Sequence, residues 1–307
     1  MGEFREATQV ESLLEALREA YSSRGNRKPV LAVGRDGTTI CEHRHGFWQV
    51  ATTATLTVFD RRGNRLRTVY LAWRPEPGQT TLGEMLTRVL TETLLGWAGP
   101  LPSLAYISDS GASETGYFER CLKHMRHPQT GEPLPWRRVV DFYHTAIRVW
   151  TMARVLFGDP TPACRKWARR MLHKLKNQSR GAKRVLHSAA TFAKRRKMSK
   201  AKRTEFNAAY RFVRERTRWM NYAELKRCQI PIGSGITEAA CKTIYGQRLK
   251  LSGMRWSMNG AQSILTLRSI LLSGVWKSSQ ERLLQHYESK IPTPYAGKTS
   301  CRHKLAA

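Results

Sequence analysis

The chain of 307 residues is 41% hydrophobic, so it can bury a large core as one large domain or two ordinary ones. Its 53 Lys and Arg against 23 Asp and Glu give a formal net charge of +30, which requires an anionic partner, usually a polyphosphate backbone rather than an anionic membrane surface. The longest apolar run, residues 263–276, contains Arg268 and is too short to span a bilayer, and six cysteines without a C-x-x-C pair argue against a zinc or disulfide framework.

The first predicted elements are a helix and three strands. Leucines at helical spacing predict an amphipathic helix over residues 10–21. A short apolar run over residues 29–34 predicts a strand that delivers Asp36 at its end. Residues 47–59 and 66–73 are rich in Thr, Val and aromatic residues and flank a turn, so we expect an antiparallel meander.

Helices and strands then alternate along the chain. We predict helices over residues 80–97 and 113–125, and strands over residues 103–108 and 137–143. This order after a meander predicts an α/β fold with a mixed sheet flanked by helices. Asp109 directly follows the fourth strand, and neighbouring strands of such a sheet can bring it close to Asp36.

Residues 151–227 have a different character. They show no strand pattern and carry 23 Lys and Arg against four Asp and Glu, a net of +19 out of the total of +30. Basic runs within residues 194–203 alternate with apolar and aromatic residues that can form a core. We therefore predict an all-helical basic insertion. A charge run is usually a solvated face, but so one-sided a stretch favours a surface that follows phosphates.

A loop that leads directly into a helix follows this insertion. Gly233 and Gly235 permit a tight turn, and Ser234 or Thr237 can cap the first amide groups of the helix. Glu238 then lies in the first turn, where the helix dipole favours a carboxylate. We expect Ile236, Ala239, Ala240 and Ile244 to form the apolar face of this helix.

Asp36, Asp109 and Glu238 form a candidate metal site. Asp109 follows Asp36 by 73 residues, and Glu238 follows Asp109 by 129. Three carboxylates from two strand ends and one helix can hold two Mg²⁺ ions about 4 Å apart. Two ordinary roles compete with this interpretation, since Asp36 and Gly37 can form a turn and Asp109 can cap the following helix.

Four segments resemble one known family. They are VGRDGT at 33–38, SDSGA at 108–112, DFYH at 141–144, and PIGSGITEAACK at 231–242, which LSGMRW follows at 251–256. Together they resemble DDE (Asp-Asp-Glu) transposases of the insertion-sequence type, which have an RNase H-like core, and most closely the ISKra-type branch. The resemblance covers most of the chain, from residue 29 to residue 276, and the block 231–256 is its most specific part.

The resemblance implies a domain organisation and a set of site residues. Asp36, Asp109 and Glu238 are the implied catalytic acids and ligands of two Mg²⁺ ions, for which Mn²⁺ can substitute. Asp141 and His144 match a D-x-x-H signature and are implied supporting residues, although His144 can equally be a structural histidine at a helix start. The implied organisation is an N-terminal helix and linker (1–28), an RNase H-like core in two parts (29–150 and 230–291), the basic α-helical insertion between them (151–229), and a disordered tail (292–307).

The expected partner is DNA, comprising transposon ends and target. Candidate DNA-binding residues are the cations of the basic insertion and one tryptophan: Lys194, Arg195, Arg196, Lys197, Lys200, Lys202, Arg203, Arg216, Arg218 and Trp219. Trp219 has two alternative roles, stacking on an unpaired base or packing the insertion onto the core. The resemblance further implies a homodimer or higher oligomer on DNA, in the cytoplasm and associated with the nucleoid.

The chain departs from the family at its N-terminus. About 28 residues precede the first strand, whereas transposases of this branch usually carry an end-binding domain there. A truncated copy, a catalytic fragment and a domesticated descendant all fit this difference. Two rival functions remain open: a non-catalytic nucleic-acid-binding remnant, and an RNase H-like nuclease without strand transfer.

Overall fold

The computed structural model describes residues 2–41, 48–251 and 253–290. Within them, five strands form one sheet in the order β3-β2-β1-β4-β5. The strands are β1 (Val30–Cys41), β2 (Trp48–Phe59), β3 (Arg65–Trp73), β4 (Ser103–Ser108) and β5 (Arg137–Val140). Strand β2 is antiparallel to β1 and β3, whereas β4 and β5 continue the sheet parallel to β1. The predicted α/β class is confirmed, and this order is consistent with an RNase H-like fold.

Helices cover both faces of the sheet. They are α1 (Gly2–Ser22), α2 (Thr80–Gly96), α3 (Ala112–Arg120), α4 (Phe142–Phe157), α5 (Pro162–Asn177), α6 (Gly181–Lys194), α7 (Lys200–Arg216), α8 (Tyr222–Arg227), α9 (Gly235–Cys241), α10 (Gln247–Leu249), α11 (Met258–Leu272) and α12 (Trp276–Glu288). A π-helical turn, Lys242–Gly246, joins α9 to α10. Such turns are rare in proteins and frequent at functional sites.

Alternate residues of β1 belong to different cores, as the pleat of a strand requires. Leu31 and Val33 pack with apolar residues of α1, α2 and α3 on one face. Val30 and Ala32 pack on the other face with residues of helices α4 to α8, while Ile40 packs with α9 and α11. By this alternation, Asp36 lies on the same face as α4 and α9.

Two predicted strand ends were wrong. Strand β1 continues through Asp36 to Cys41, because β2 pairs with it along its whole length and Asp36 lies opposite Thr53. The competing turn at Asp36 and Gly37 is thereby also excluded. Strand β5 ends at Val140 rather than at residue 143, because the Asp141 carboxylate accepts the amide hydrogen of His144 and caps α4.

The basic insertion is helical, as predicted, but it does not begin at a break in the chain. Helix α4 runs from the end of β5 straight through position 151. Buried residues of α4 to α8 form one continuous core with the sheet residues Val30 and Ala105. The insertion therefore packs directly on the sheet face. The predicted tail, residues 292–307, lies outside the described residues.

Candidate active site

Asp36 and Asp109 lie at the same level of two adjacent parallel strands. Strands β1 and β4 pair from Val30 opposite Ser103 to Gly34 opposite Ile107. The same offset of 73 residues brings Asp36 opposite Asp109, the first residue after β4. Adjacent strands are about 4.8 Å apart, so the two acids begin from neighbouring backbone positions on one face of the sheet.

Backbone amides hold the two aspartates. The amide of Gly37 donates to Asp36 Oδ1 at 2.8 Å, and the amide of Gly111 donates to Asp109 Oδ1 at 2.8 Å. Asp109 does not cap α3, because Gly111 is the residue at the N-cap and no side chain caps this helix. The competing role of Asp109 as a helix cap is therefore excluded.

Helix α9 carries Glu238 onto the same face of the sheet. Thr237 is buried, and its Oγ1 lies 2.7 Å from Oγ1 of Thr55 on β2. The backbone of β1 comes close at Gly34, where a β-carbon would lie 2.0 Å from Thr237 Oγ1. Glu238, the next residue, is 36% exposed and so has one side open to solvent. Of the expected apolar face, Ala240 and Ile244 are buried, Ile236 is half-buried, and Ala239 is exposed instead.

Ser234 does not cap α9, contrary to the sequence prediction. No side chain caps this helix, because the Ser234 hydroxyl is used in longer-range contacts. Its Oγ lies 2.8 Å from Asp141 Oδ2 and 2.8 Å from Glu238 Oε1. A hydroxyl has one hydrogen, so Ser234 donates to one carboxylate at a time and links the two acids.

Asp141 is fully buried and joins two parts of the site. Its Oδ1 accepts the His144 amide at 2.7 Å, and its Oδ2 accepts the Ser234 amide at 2.5 Å. The Phe142 amide also donates to the Ile232 carbonyl at 2.9 Å. Asp141 thus anchors the loop before α9 to the start of α4. A buried carboxylate without such partners would be strongly unfavourable.

His144 reaches Glu238 from the first turn of α4. Its Nε2 lies 3.6 Å from Glu238 Oε1, and the imidazole is 38% exposed. The pair attracts electrostatically only when the imidazole is protonated. His144 therefore faces the candidate site, as the supporting role requires, rather than the core.

The three candidate acids lie within electrostatic reach of one another. Burial raises the pKa of Asp36, and the negative charges of Asp109 and Glu238 raise it further. Hydrogen bonds from the Gly37 amide and the Cys241 thiol act in the opposite direction. Mutual repulsion among carboxylates is the condition that a bound divalent cation relieves. Across residues 2–41, 48–251 and 253–290, no three His, Cys, Asp or Glu side chains form a ready-made metal cage.

Glu114 is a fourth acid beside this site, one that the sequence pattern did not single out. It is 7% exposed, and burial raises its pKa, with further contributions from Asp109 and Asp36. A β-carbon at Gly111 would lie 2.4 Å from Glu114 Oε2 and 3.3 Å from Asp109 Oδ1, so both carboxylates border the same small space. Its position in the first turn of the helix after Asp109 was the available signal.

Most candidate DNA-binding cations surround the turn between α6 and α7. We call residues 194–203 the basic turn, and all seven of its candidate cations are exposed. Arg216 is half-buried, lies 3.5 Å from Glu215, and stacks on Phe212 at 4.4 Å. The basic turn is therefore available to an anionic partner, while Arg216 already has partners within the chain.

Trp219 contacts the core directly. The half-buried indole lies 3.9 Å from the guanidinium of Arg138 on β5 and 4.0 Å from that of Arg218. Arg138 itself is buried and lies 3.4 Å from Glu119 of α3. Two guanidinium groups at these distances occupy the ring faces that a base would need, which supports the packing role of Trp219.

Comparison of the chain with protein-family models and with curated proteins found no match. Among the described residues, no helix combines the length and apolarity needed to cross a membrane.

Proposed function

We propose that this chain is a DDE transposase, of the ISKra-type branch, that cleaves DNA and joins strands by metal-assisted phosphoryl transfer. The observation that carries the proposal is the common level of Asp36 and Asp109 on adjacent parallel strands, with α9 laid over the same face. Two strand acids and one helix acid on one face are a donor set suited to Mg²⁺, which prefers oxygen ligands.

Asp36, Asp109 and Glu238 would hold two Mg²⁺ ions, or Mn²⁺ in their place. The ions supply activation of the attacking oxygen and stabilisation of the leaving oxygen. Repulsion among the three carboxylates, which raises the pKa of Asp36 beyond the effect of burial, favours cation binding. The open side of Glu238 leaves access for a phosphodiester.

The remaining residues orient this site. Asp141 and Ser234 tie the loop before α9 to α4 and thereby hold Glu238 over the sheet. His144, 3.6 Å from Glu238, can hold a proton beside that carboxylate. The basic turn and Arg218 supply positive charge for the DNA backbone. A homodimer or higher oligomer on DNA, in the nucleoid, follows from the same proposal.

A plasmid cleavage assay with Mg²⁺ or Mn²⁺ tests the proposal. We expect Asp109→Asn to abolish cleavage while leaving DNA binding intact. Asp159→Asn is the matched control, since Asp159 is an exposed aspartate in the loop between α4 and α5. Cleavage that survives Asp109→Asn would contradict the assignment.

Analysis of the cleavage products separates the rival functions. Joined donor and target strands support transposition, whereas cleavage without joined ends indicates an RNase H-like nuclease. Tight DNA binding without any metal-dependent cleavage indicates a non-catalytic remnant. The intact set of acids favours a catalyst over the remnant.

A further inference from the structure

The insertion contains a basic groove that is separate from the basic turn. It lies between the start of α6 and the end of α7 and encloses about 590 Å³. Its cations are scattered in the sequence: Arg180, Lys183, Arg214 and Arg218. All four are exposed, so their charged ends are accessible to a ligand.

These charges are largely uncompensated. Within the described part of the chain, Arg180, Lys183 and Arg214 form no ion pair. Glu215 also borders the groove, but its carboxylate lies 3.5 Å from Arg216 NH1 and is paired there. Several cations around one concavity focus their field more strongly than cations on a convex surface. The groove is therefore suited to an extended anion.

The helix dipole adds to this field. Arg180 occupies the N-cap of α6, with a φ of 54°, and no side chain caps the helix. The amides of the first turn therefore contribute positive potential at the same end of the helix as the cations. This contribution supplements the four side chains and does not by itself define a site.

The groove and the basic turn lie at opposite ends of α6. This helix has 14 residues, so its two ends are separated by about 20 Å at 1.5 Å per residue. At about 3.4 Å per phosphate along one strand, this distance corresponds to about six nucleotides. A single DNA backbone can therefore contact both surfaces, and neutralising one leaves the other in place.

We propose that this groove binds the phosphate backbone of duplex DNA as a second anchoring surface beside the basic turn. The inference rests on the proposed function for the identity of its partner. The location of the groove next to Arg218, which stacks on Trp219 against Arg138, puts the bound backbone beside the contact between insertion and core. Loss of this anchor would weaken binding uniformly, without sequence preference.

The test compares two charge-matched triple variants. The groove variant is Arg180→Gln, Lys183→Gln and Arg214→Gln. The control is Arg24→Gln, Arg27→Gln and Lys28→Gln, three exposed cations before β1, at the opposite end of the sheet from Asp36. Both remove three charges from exposed positions, so we expect unchanged melting temperatures.

The measurement is the salt dependence of affinity for a labelled duplex of arbitrary sequence. Each phosphate that the protein no longer neutralises should reduce the slope of log K against log salt by about 0.9, so the slope should fall by about 2.7 in the groove variant and stay unchanged in the control. An unchanged slope in the groove variant, or an equal reduction in the control, would overturn the inference.

This result is independent of the catalytic assay. If the wild type binds DNA through the groove but never cleaves it, the proposed chemistry fails and the groove stands. If the wild type cleaves and joins DNA while the groove variant binds with the wild-type slope, the groove inference alone fails.

Discussion

Gly34 lies directly beneath Thr237, and a β-carbon at this glycine would come within 2.0 Å of Thr237 Oγ1. The contact determines how closely α9 approaches β1. Since Glu238 follows Thr237, the absence of a side chain at residue 34 sets the height of Glu238 over the sheet. Most glycine positions have no comparable consequence for the site; at Gly235, one turn from Glu238, nothing lies within 4 Å of an added β-carbon.

The first prediction follows from this contact. Gly34→Ala should displace α9, destabilise the protein by about 1–3 kcal/mol and reduce DNA cleavage more than ten-fold. Thermal unfolding and the cleavage assay measure the two effects. Gly235→Ala is the matched control and should leave both unchanged. Wild-type cleavage by Gly34→Ala would mean that the height of α9 does not matter.

The second prediction concerns Ser234, which links Asp141 to Glu238. Ser234→Ala leaves the buried Asp141 carboxylate short of one hydrogen bond, at a cost of about 1–3 kcal/mol, and frees the Glu238 side chain. We expect cleavage to fall further than the loss of stability explains. The comparison is Ser257→Ala, which removes the cap of α11 at about 1 kcal/mol without touching the site. Equal losses of activity in both variants would refute the positioning role.

The third prediction concerns pH and metal. Burial and the charges of Asp109 and Glu238 raise the pKa of Asp36, so the folded protein binds this proton more tightly than the unfolded chain. Stability from this group is therefore present at low pH and is lost as pH rises through the raised pKa. Asp36→Asn should raise the melting temperature at pH 7 in the absence of metal by about 2 °C or more, and the gain should disappear in acid.

Asp60 provides a control of opposite sign. Burial alone would raise its pKa, but hydrogen bonds from Asn64, Arg62 and Gly63 lower it, so Asp60→Asn should destabilise the protein at pH 7. Added Mg²⁺ or Mn²⁺ should stabilise the wild type more than Asp36→Asn, because binding to the folded state adds stability. Equal stabilisation of both proteins would argue against Asp36 as a ligand.

The fourth prediction concerns the basic turn. Deleting residues 194–203 should flatten the slope of log K against log salt, by about 0.9 for each phosphate that this surface neutralises in the wild type. Binding to duplexes of different sequence should weaken to the same extent, since phosphate contacts carry no sequence information. An unchanged slope would mean that the basic turn is only a solvated surface.

The fifth prediction concerns Trp219. Trp219→Ala removes the ring that covers the buried Arg138, so we expect a lower melting temperature and weaker cleavage of every DNA substrate. Trp276→Ala is the control, because that indole is 44% exposed and its removal should have little effect. Normal stability of Trp219→Ala, with activity restored only on pre-nicked or abasic ends, would instead establish the base-stacking role.

Local sequence patterns were sufficient for the order of elements and for the candidate acids. Alternation of apolar residues is a property of a few neighbouring residues, and it predicted five strands, the intervening helices and the helical character of the basic insertion. The motifs around Asp36, Asp109 and Glu238 are equally local. The equality between their 73-residue spacing and the β1–β4 offset depends on pairing, which no local pattern contains.

Tertiary contacts decided what local preferences could not. Strand β1 extends past Asp36 because β2 supplies hydrogen-bond partners there, and β5 stops at Val140 because Asp141 caps α4. Ser234 has the composition of a helix cap, yet its hydroxyl contacts two carboxylates, one of them 93 residues away in sequence. The groove around Arg180 and Arg214 exists only because α6 and α7 pack together, which brings separated charges around one concavity.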